Sequence, residues 1–188
     1  MYAEDKKFKN RDFSEEYLPK GEYEYCIFSK CDFSGSDLSG VKFIECEFIE
    51  CNISNAKLYD TSFQRVEFKN CKMLGLHFNR CNEFGMSLKF EGSTLSHSIF
   101  FQLSLKQTIF RDSQLTEVDF SECNLSEVVF DNCDLAGAAF SQTTLKKADL
   151  STAYNYRMDP EHNSIEGARF SQSGLAGLLD KYNINIDY

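Results

Sequence analysis

The chain has 188 residues, 42% of them hydrophobic, with 29 acidic against 20 basic side chains and a net charge of −9. That length allows one domain with a sizeable core; the acidity excludes a bulk basic surface for direct nucleic-acid binding. The 18 Phe and 9 Tyr exclude a disordered chain. No apolar run approaches the roughly 18–20 residues of a membrane span. The start, Met1-Tyr2-Ala3-Glu4-Asp5-Lys6-Lys7, lacks the apolar stretch of a signal peptide. The expected setting is the cytoplasm, away from any membrane.

Along the chain every fifth residue is apolar. The series runs from Phe8 to Phe78 without a break over fifteen members, and restarts at Phe90 for thirteen Phe or Leu to Leu150. Period five fits neither a helix nor an alternating strand. It fits a chain that turns a corner every five residues and closes a square coil every twenty. The residue two before each centre is usually small, and all eight Cys fall on that slot. Packing explains this placement where disulfides do not, because Cys behaves as a small buried hydrophobe.

Residues 1–22 read as a capping coil: its small slots hold Lys6, Arg11 and Glu16, and Pro19 and Gly21 interrupt it, so the core is expected to start near Tyr23. Residues 23–150 form the repeat, with a two-residue slip at 82–87 (Asn82-Glu83-Phe84-Gly85-Met86-Ser87). Around the slip, Phe84, Met86, Phe101 and the bulky Leu103 either repack together or make an exposed apolar contact for a partner. Between Asp112 and Leu145 stand seven acids and no base: Asp112, Glu117, Asp119, Glu122, Glu127, Asp131 and Asp134. They fall on all four walls, as solvated outward positions do.

Residues 151–188 form a C-terminal cap. An irregular stretch carries the Asp159-Pro160 turn signal, and Ala168-Arg169-Phe170 reads as a last repeat. Ser171 or Ser173 then caps a short helix with Leu175, Leu178, Leu179 and Tyr182 on one face. Asn183 suits the helix stop, and Ile184-Asn185-Ile186 alternates like a short strand. The apolar helix face serves as a lid over the last coil or as a dimer interface.

Catalytic signatures are missing from this sequence: there is no Gly-rich phosphate loop, GxSxG, HExxH or paired CxxC. His77 and Cys81 have helical metal spacing, but here Cys81 points inward and His77 outward. Flat walls would leave no substrate pocket. The expectation is a non-enzyme with no catalytic, cofactor or metal site.

Ala148-Asp149-Leu150 and Cys133-Asp134-Leu135 match Ala-(Asp/Asn)-(Leu/Phe)-x-x, and the chain resembles the pentapeptide-repeat proteins over nearly its whole length. The resemblance implies an all-β fold, a right-handed quadrilateral β-helix of about seven coils and ~35 Å, closed here by a short C-terminal α-helix. The final repeat, Leu178-Leu179-Asp180-Lys181 and the Ile-containing end are similar to the Qnr and MfpA quinolone-resistance branch. That similarity implies an end-to-end homodimer through Leu175, Leu178, Leu179, Tyr182, Ile184 and Ile186. It also implies a partner, a type II topoisomerase such as DNA gyrase, with the seven acids replacing DNA phosphates. The alternative is an interaction scaffold for a different protein, meeting it through Phe84, Met86 and Phe101.

Overall fold

The computed structural model describes residues 1–185. The chain winds as a right-handed quadrilateral β-helix of about eight turns. Its strands are β1 (Tyr2–Glu4), β2 (Lys7–Lys9), β3 (Glu22–Glu24), β4 (Ile27–Ser29), β5 (Lys42–Ile44), β6 (Glu47–Ile49) and β7 (Ser62–Gln64). They continue as β8 (Val66–Lys69), β9 (Leu88–Glu91), β10 (Ile109–Arg111), β11 (Val129–Asp131), β12 (Asp149–Leu150) and β13 (Arg169–Phe170). One wall is the parallel ladder β2-β4-β6-β8-β9-β10-β11-β12-β13, and the wall before it is β1-β3-β5-β7. Single parallel bridges such as Asp32↔Asn52 and Asp37↔Lys57 tie the coils together on the other two. Pairing advances by twenty residues per coil, and by twenty-two across the slip, where Phe68 faces Phe90.

The corners explain the period. The residue two past most centres has left-handed backbone, as at Glu45 (φ 51°), Glu50 (φ 53°) and Glu122 (φ 59°). A non-glycine residue there costs roughly 1–2 kcal/mol, so stacking must outweigh the local preference. Asp or Asn one before the centre helps: its side chain accepts the amide two residues on, as in Asp32–Ser34 (2.8 Å), Asp119–Ser121 (2.9 Å) and Asp134–Ala136 (3.1 Å).

The core is a set of columns. Phe8, Phe28, Phe48, Phe68, Phe90, Phe110 and Phe130 stack along the nine-stranded wall, with ring centroids 4.7 Å apart for Phe8–Phe28 and 5.4 Å across the slip for Phe68–Phe90. A second aromatic column changes wall at the slip. Below it, Tyr23, Phe43 and Phe63 line the adjacent four-stranded wall; above it, Phe78, Phe100, Phe120 and Phe140 line the opposite one. Both meet the Phe column edge-on, as in Phe43–Phe48 (76°) and Phe100–Phe110 (88°).

All eight Cys are free and buried, but they are more than small hydrophobes. Where the small slot holds Cys, Ser or Thr, most of these side chains donate a hydrogen bond. Cys46 donates to the Tyr23 carbonyl (3.2 Å), Cys71 to Phe48 (3.3 Å), Cys123 to Phe100 (3.0 Å), and the hydroxyls of Thr61 and Thr143 to Leu38 (2.8 Å) and Phe120 (2.9 Å). Each serves the carbonyl of a centre in the coil below. Burial pushes the Cys46, Cys123 and Cys133 thiols up to about 12, which keeps them protonated and unreactive.

At the first end, Lys6, Arg11 and Glu16 are exposed at the rim as their slots require, yet Ala3, Phe13 and Leu18 are already buried. The core therefore starts one coil before Tyr23. At the other end, residues 151–167 form an irregular further coil that buries Ala153, Tyr156 and Met158. The predicted helix shrinks to α1 (Ala176–Leu179), with 3-10 turns Ser173–Leu175 and Asp180–Tyr182 on either side. Ser171 Oγ accepts the Gly174 amide (3.0 Å) at the entry to the first 3-10 turn, and Asn183 takes the left-handed stop at φ 49°. No helix among the described residues is long and apolar enough to cross a membrane.

Candidate interaction surfaces

Six of the seven acids between Asp112 and Asp134 divide into two kinds. Asp112, Glu117, Glu122 and Glu127 occupy four consecutive left-handed corners of one coil and are exposed. They encircle the rod rather than forming stripes. Each reaches a side chain one coil away: Asp112 accepts from Asn132 Nδ2 (2.7 Å), Glu122 from Gln102 Nε2 (2.8 Å) and Glu127 from Gln107 Nε2 (2.8 Å), while Glu117 meets His97 Nδ1 (3.1 Å). An amide orients a carboxylate without cancelling its charge. The Gln107 bond, with Lys106 at 3.6 Å, holds the Glu127 carboxyl below its usual range. Asp119 and Asp134 are half-buried and serve the turns described above, and Asp131 is paired with Arg111 (3.0 Å).

The C-terminal face splits. Leu178 is buried against the last coil, whereas Leu175 (47% exposed), Leu179, Tyr182 and Ile184 face outward. One helical face was expected; the 3-10 turns, at three residues per turn, shift the phase and separate its members. Ile184 and Asn185 are not in a strand, and Ile186 lies outside the described residues. The rod end is both lidded, by Leu178, and left apolar, by its neighbours.

At the slip, the joint repacking of Phe84, Met86, Phe101 and Leu103 does not occur. Leu103 is buried, Met86 and Phe101 are half-buried, and Phe84 is 83% exposed. Leu88 and Leu103 fill the interior from the small slots, and the insertion bulges outward. Phe84 is held there: its amide donates to Asn82 Oδ1 (3.0 Å) and its carbonyl accepts from Gln64 Nε2 (3.4 Å). His77 is exposed and Cys81 buried. The walls are also less flat than the repeat implies. A groove of about 560 Å³ runs between Ala136, Asn155, Arg157 and the helix, and one of about 340 Å³ crosses the wall at Lys57, Tyr59 and His77.

A stacked rod whose distinguishing features lie on its outside, at one coil, one bulge and one end, belongs to the class of β-solenoid proteins. The family model for the pentapeptide repeat region matches residues 22–100 and 85–153, and the chain belongs to that family. Among solved structures it is similar to a trypsin-treated form of QnrB1, described as a plasmid-mediated fluoroquinolone resistance protein. The two share 18% identity and a TM-score of 0.56, over 100% of this chain and 98% of that one. It is also similar to HetL, a pentapeptide repeat protein involved in heterocyst differentiation regulation from the cyanobacterium Nostoc sp. strain PCC 7120, at 14% identity and a TM-score of 0.53, covering 91% and 85%. At these identities the likeness concerns the fold. No curated protein sequence matches the chain.

Proposed function

We propose that this protein is a non-catalytic cytoplasmic DNA mimic, a dimer joined end to end at its C-terminal caps, which occupies the DNA-binding saddle of gyrase or a related type II topoisomerase. The observation that carries the reading is the ring of corner carboxylates at Asp112, Glu117, Glu122 and Glu127, oriented by uncharged amides on three corners. Oriented, solvent-facing negative charges on a rod are what a phosphate-binding saddle attracts. The apolar outer side of the cap supports the dimer, and protection of the enzyme from quinolones follows if the saddle is taken. The test is gyrase supercoiling with and without a quinolone. Wild-type protein should inhibit the enzyme or restore its activity under the drug. The triple variant Glu117→Gln, Glu122→Gln, Glu127→Gln should be at least tenfold weaker with an unchanged fold; Asp119 and Asp134 are unsuitable because they hold turns. No effect of the wild type on gyrase or topoisomerase IV would sink the reading in favour of a protein-interaction scaffold, for which the exposed Phe84 is the specific support.

A further inference from the structure

The 340 Å³ groove is lined by basic and aromatic side chains on a chain that is acidic overall. It crosses one wall over two coils, from the corner at Asn55 and Gly75 to the corner at Arg80. Ala56 is buried beneath it, and Gly75 at its edge lies close against Asn55, whose Oδ1 an added Cβ would meet at 2.7 Å. Along its sides lie Lys57, His77 and Arg80, all exposed, together with Tyr59, which is 70% exposed. Lys57 and His77 stand twenty residues apart in successive coils, yet among the described residues no bridge joins them: Lys57 pairs with Asp37 on one side and His77 with Ile99 on the other. Two acids lie nearby with partners of their own: Asp37, bridged to Lys57 in the coil above, accepts the Ser39 amide (2.9 Å) and lies 4.0 Å from Lys20, and Asp60 accepts from Asn82 Nδ2 (2.8 Å), which orients its carboxylate and leaves its charge in place. Lys57 and Arg80 make no ion pair among the described residues. The turn beside the groove is irregular as well: Phe78–Arg80 is a 3-10 turn, and the buried Asn79 Oδ1 has no hydrogen-bond partner.

We infer that this groove is a binding site for a small phosphorylated aromatic ligand of mononucleotide size. Arg80 and Lys57 would take the phosphate, with His77 beside them, and the Tyr59 ring would take the face of the base. A guanidinium engages phosphate bidentately and an ammonium meets it as a point charge. A free Tyr face stacks on any planar ring. The volume lies at the low end of ligand sites, which suits one nucleotide and excludes a dinucleotide lying flat. A nucleic-acid strand fits less well, because a few cations on a chain of net charge −9 cannot track a phosphate backbone. The site shares no residue with the acidic ring or the C-terminal cap.

The test is a titration of the full chain by amide chemical shifts. Adenosine monophosphate should move resonances at 39, 55–59 and 75–80 with a millimolar or tighter dissociation constant, leaving 112–134 unmoved. Inorganic phosphate should bind the same residues about tenfold more weakly, and adenosine more weakly still. Arg80→Gln and Tyr59→Ala should each reduce affinity for the nucleotide at least fivefold with unchanged circular dichroism. No movement at these residues with adenosine monophosphate overturns the inference. Equal affinity for inorganic phosphate removes the ring contact and overturns it too. Tighter binding of a single-stranded DNA oligomer than of the mononucleotide would replace it with a nucleic-acid surface. None of these outcomes bears on gyrase inhibition, so the two readings fail separately.

Discussion

The two ends of the rod close the same kind of column in opposite ways. At the first end β1 and β2 are the edge strands of their sheets among the described residues, and the rim carries Lys6, Lys7, Lys9, Arg11 and Glu16. Charged side chains on an edge discourage a further strand from adding. At the last end β13 is followed by a helix that seats Leu178 on the coil and turns Leu175, Leu179, Tyr182 and Ile184 outward. A repeat solenoid needs both ends capped, and both leave apolar surface outside: Met1, Tyr2 and Tyr17 among the charges of the first rim, Leu175, Leu179 and Ile184 together on the last. The difference is that the first rim mixes its exposed apolar side chains with charge, while the last gathers aliphatic ones on a helix, and that gathering is what supports the proposed dimer interface.

The largest expected effect tests whether the second cap is a seated element. Gly177 packs its bare backbone on Tyr156, and an added Cβ would overlap the Tyr156 carbonyl oxygen. Backbone cannot step aside as a flexible side chain does, so Gly177→Ala should cost about 1–3 kcal/mol by overpacking and release Leu178. Lys6→Ala at the other end should stay within about 0.5 kcal/mol. Denaturant unfolding gives both numbers, and equal effects would erase the contrast between the ends. Next comes Leu179→Arg. Leu179 is among the outward side chains of the cap, so the monomer should stay folded while dimerisation weakens by about 2 kcal/mol, roughly thirtyfold. Sedimentation analysis reads this directly. A wild-type chain that stays monomeric at high micromolar concentration would reduce the second cap to a lid.

Much of this molecule is legible in its sequence, because each coil repeats one physical problem. The centres from Phe8 to Leu150 announce themselves, and the opposite-wall pairing of Phe100 with Phe110 follows from the alternation of Phe and Leu after the slip. The donors in the small slot were legible too, since Cys, Ser and Thr share a hydrogen-bond donor as well as small size; size alone was the incomplete reading. Three things were not legible. Whether Phe84 turns in or out depends on Leu88 and Leu103 having filled the interior, which is a packing outcome rather than a pattern. The split of Leu178 from Leu179 depends on 3-10 turns that periodicity does not distinguish from α-helix. The two jobs of the acids, corner charge at Glu122 and turn support at Asp119, separate only when the hydrogen bonds are seen.

The smallest effect sharpens the comparison through pH. Lys181 Nζ lies 2.7 Å from both Asp159 and Glu161, and the Tyr182 hydroxyl donates to Glu161 (2.9 Å), so this cluster clasps the helix to the last coil. The Lys181 hydrogen bonds hold both carboxyls below their ordinary values. A carboxyl lowered in the folded state stabilises it at pH values above its unfolded pKa, about 4 for these groups, and that contribution is lost as pH falls through the folded value. Acid, not base, should therefore open the clasp. Asp12 at the first end is also lowered, by hydrogen bonds from Ser14, but protonating it loosens a single turn and releases no element. Following the Leu178 methyl resonances from pH 7 to pH 3 should show the cap losing its seat below about pH 4. Lys181→Met should flatten that profile while leaving the Asp12 turn to titrate as before. A profile unchanged by Lys181→Met would mean that Leu178 and the close Gly177 contact hold the cap without the clasp. Acid would then act alike at the two ends, and what separates them would be the arrangement of apolar surface alone.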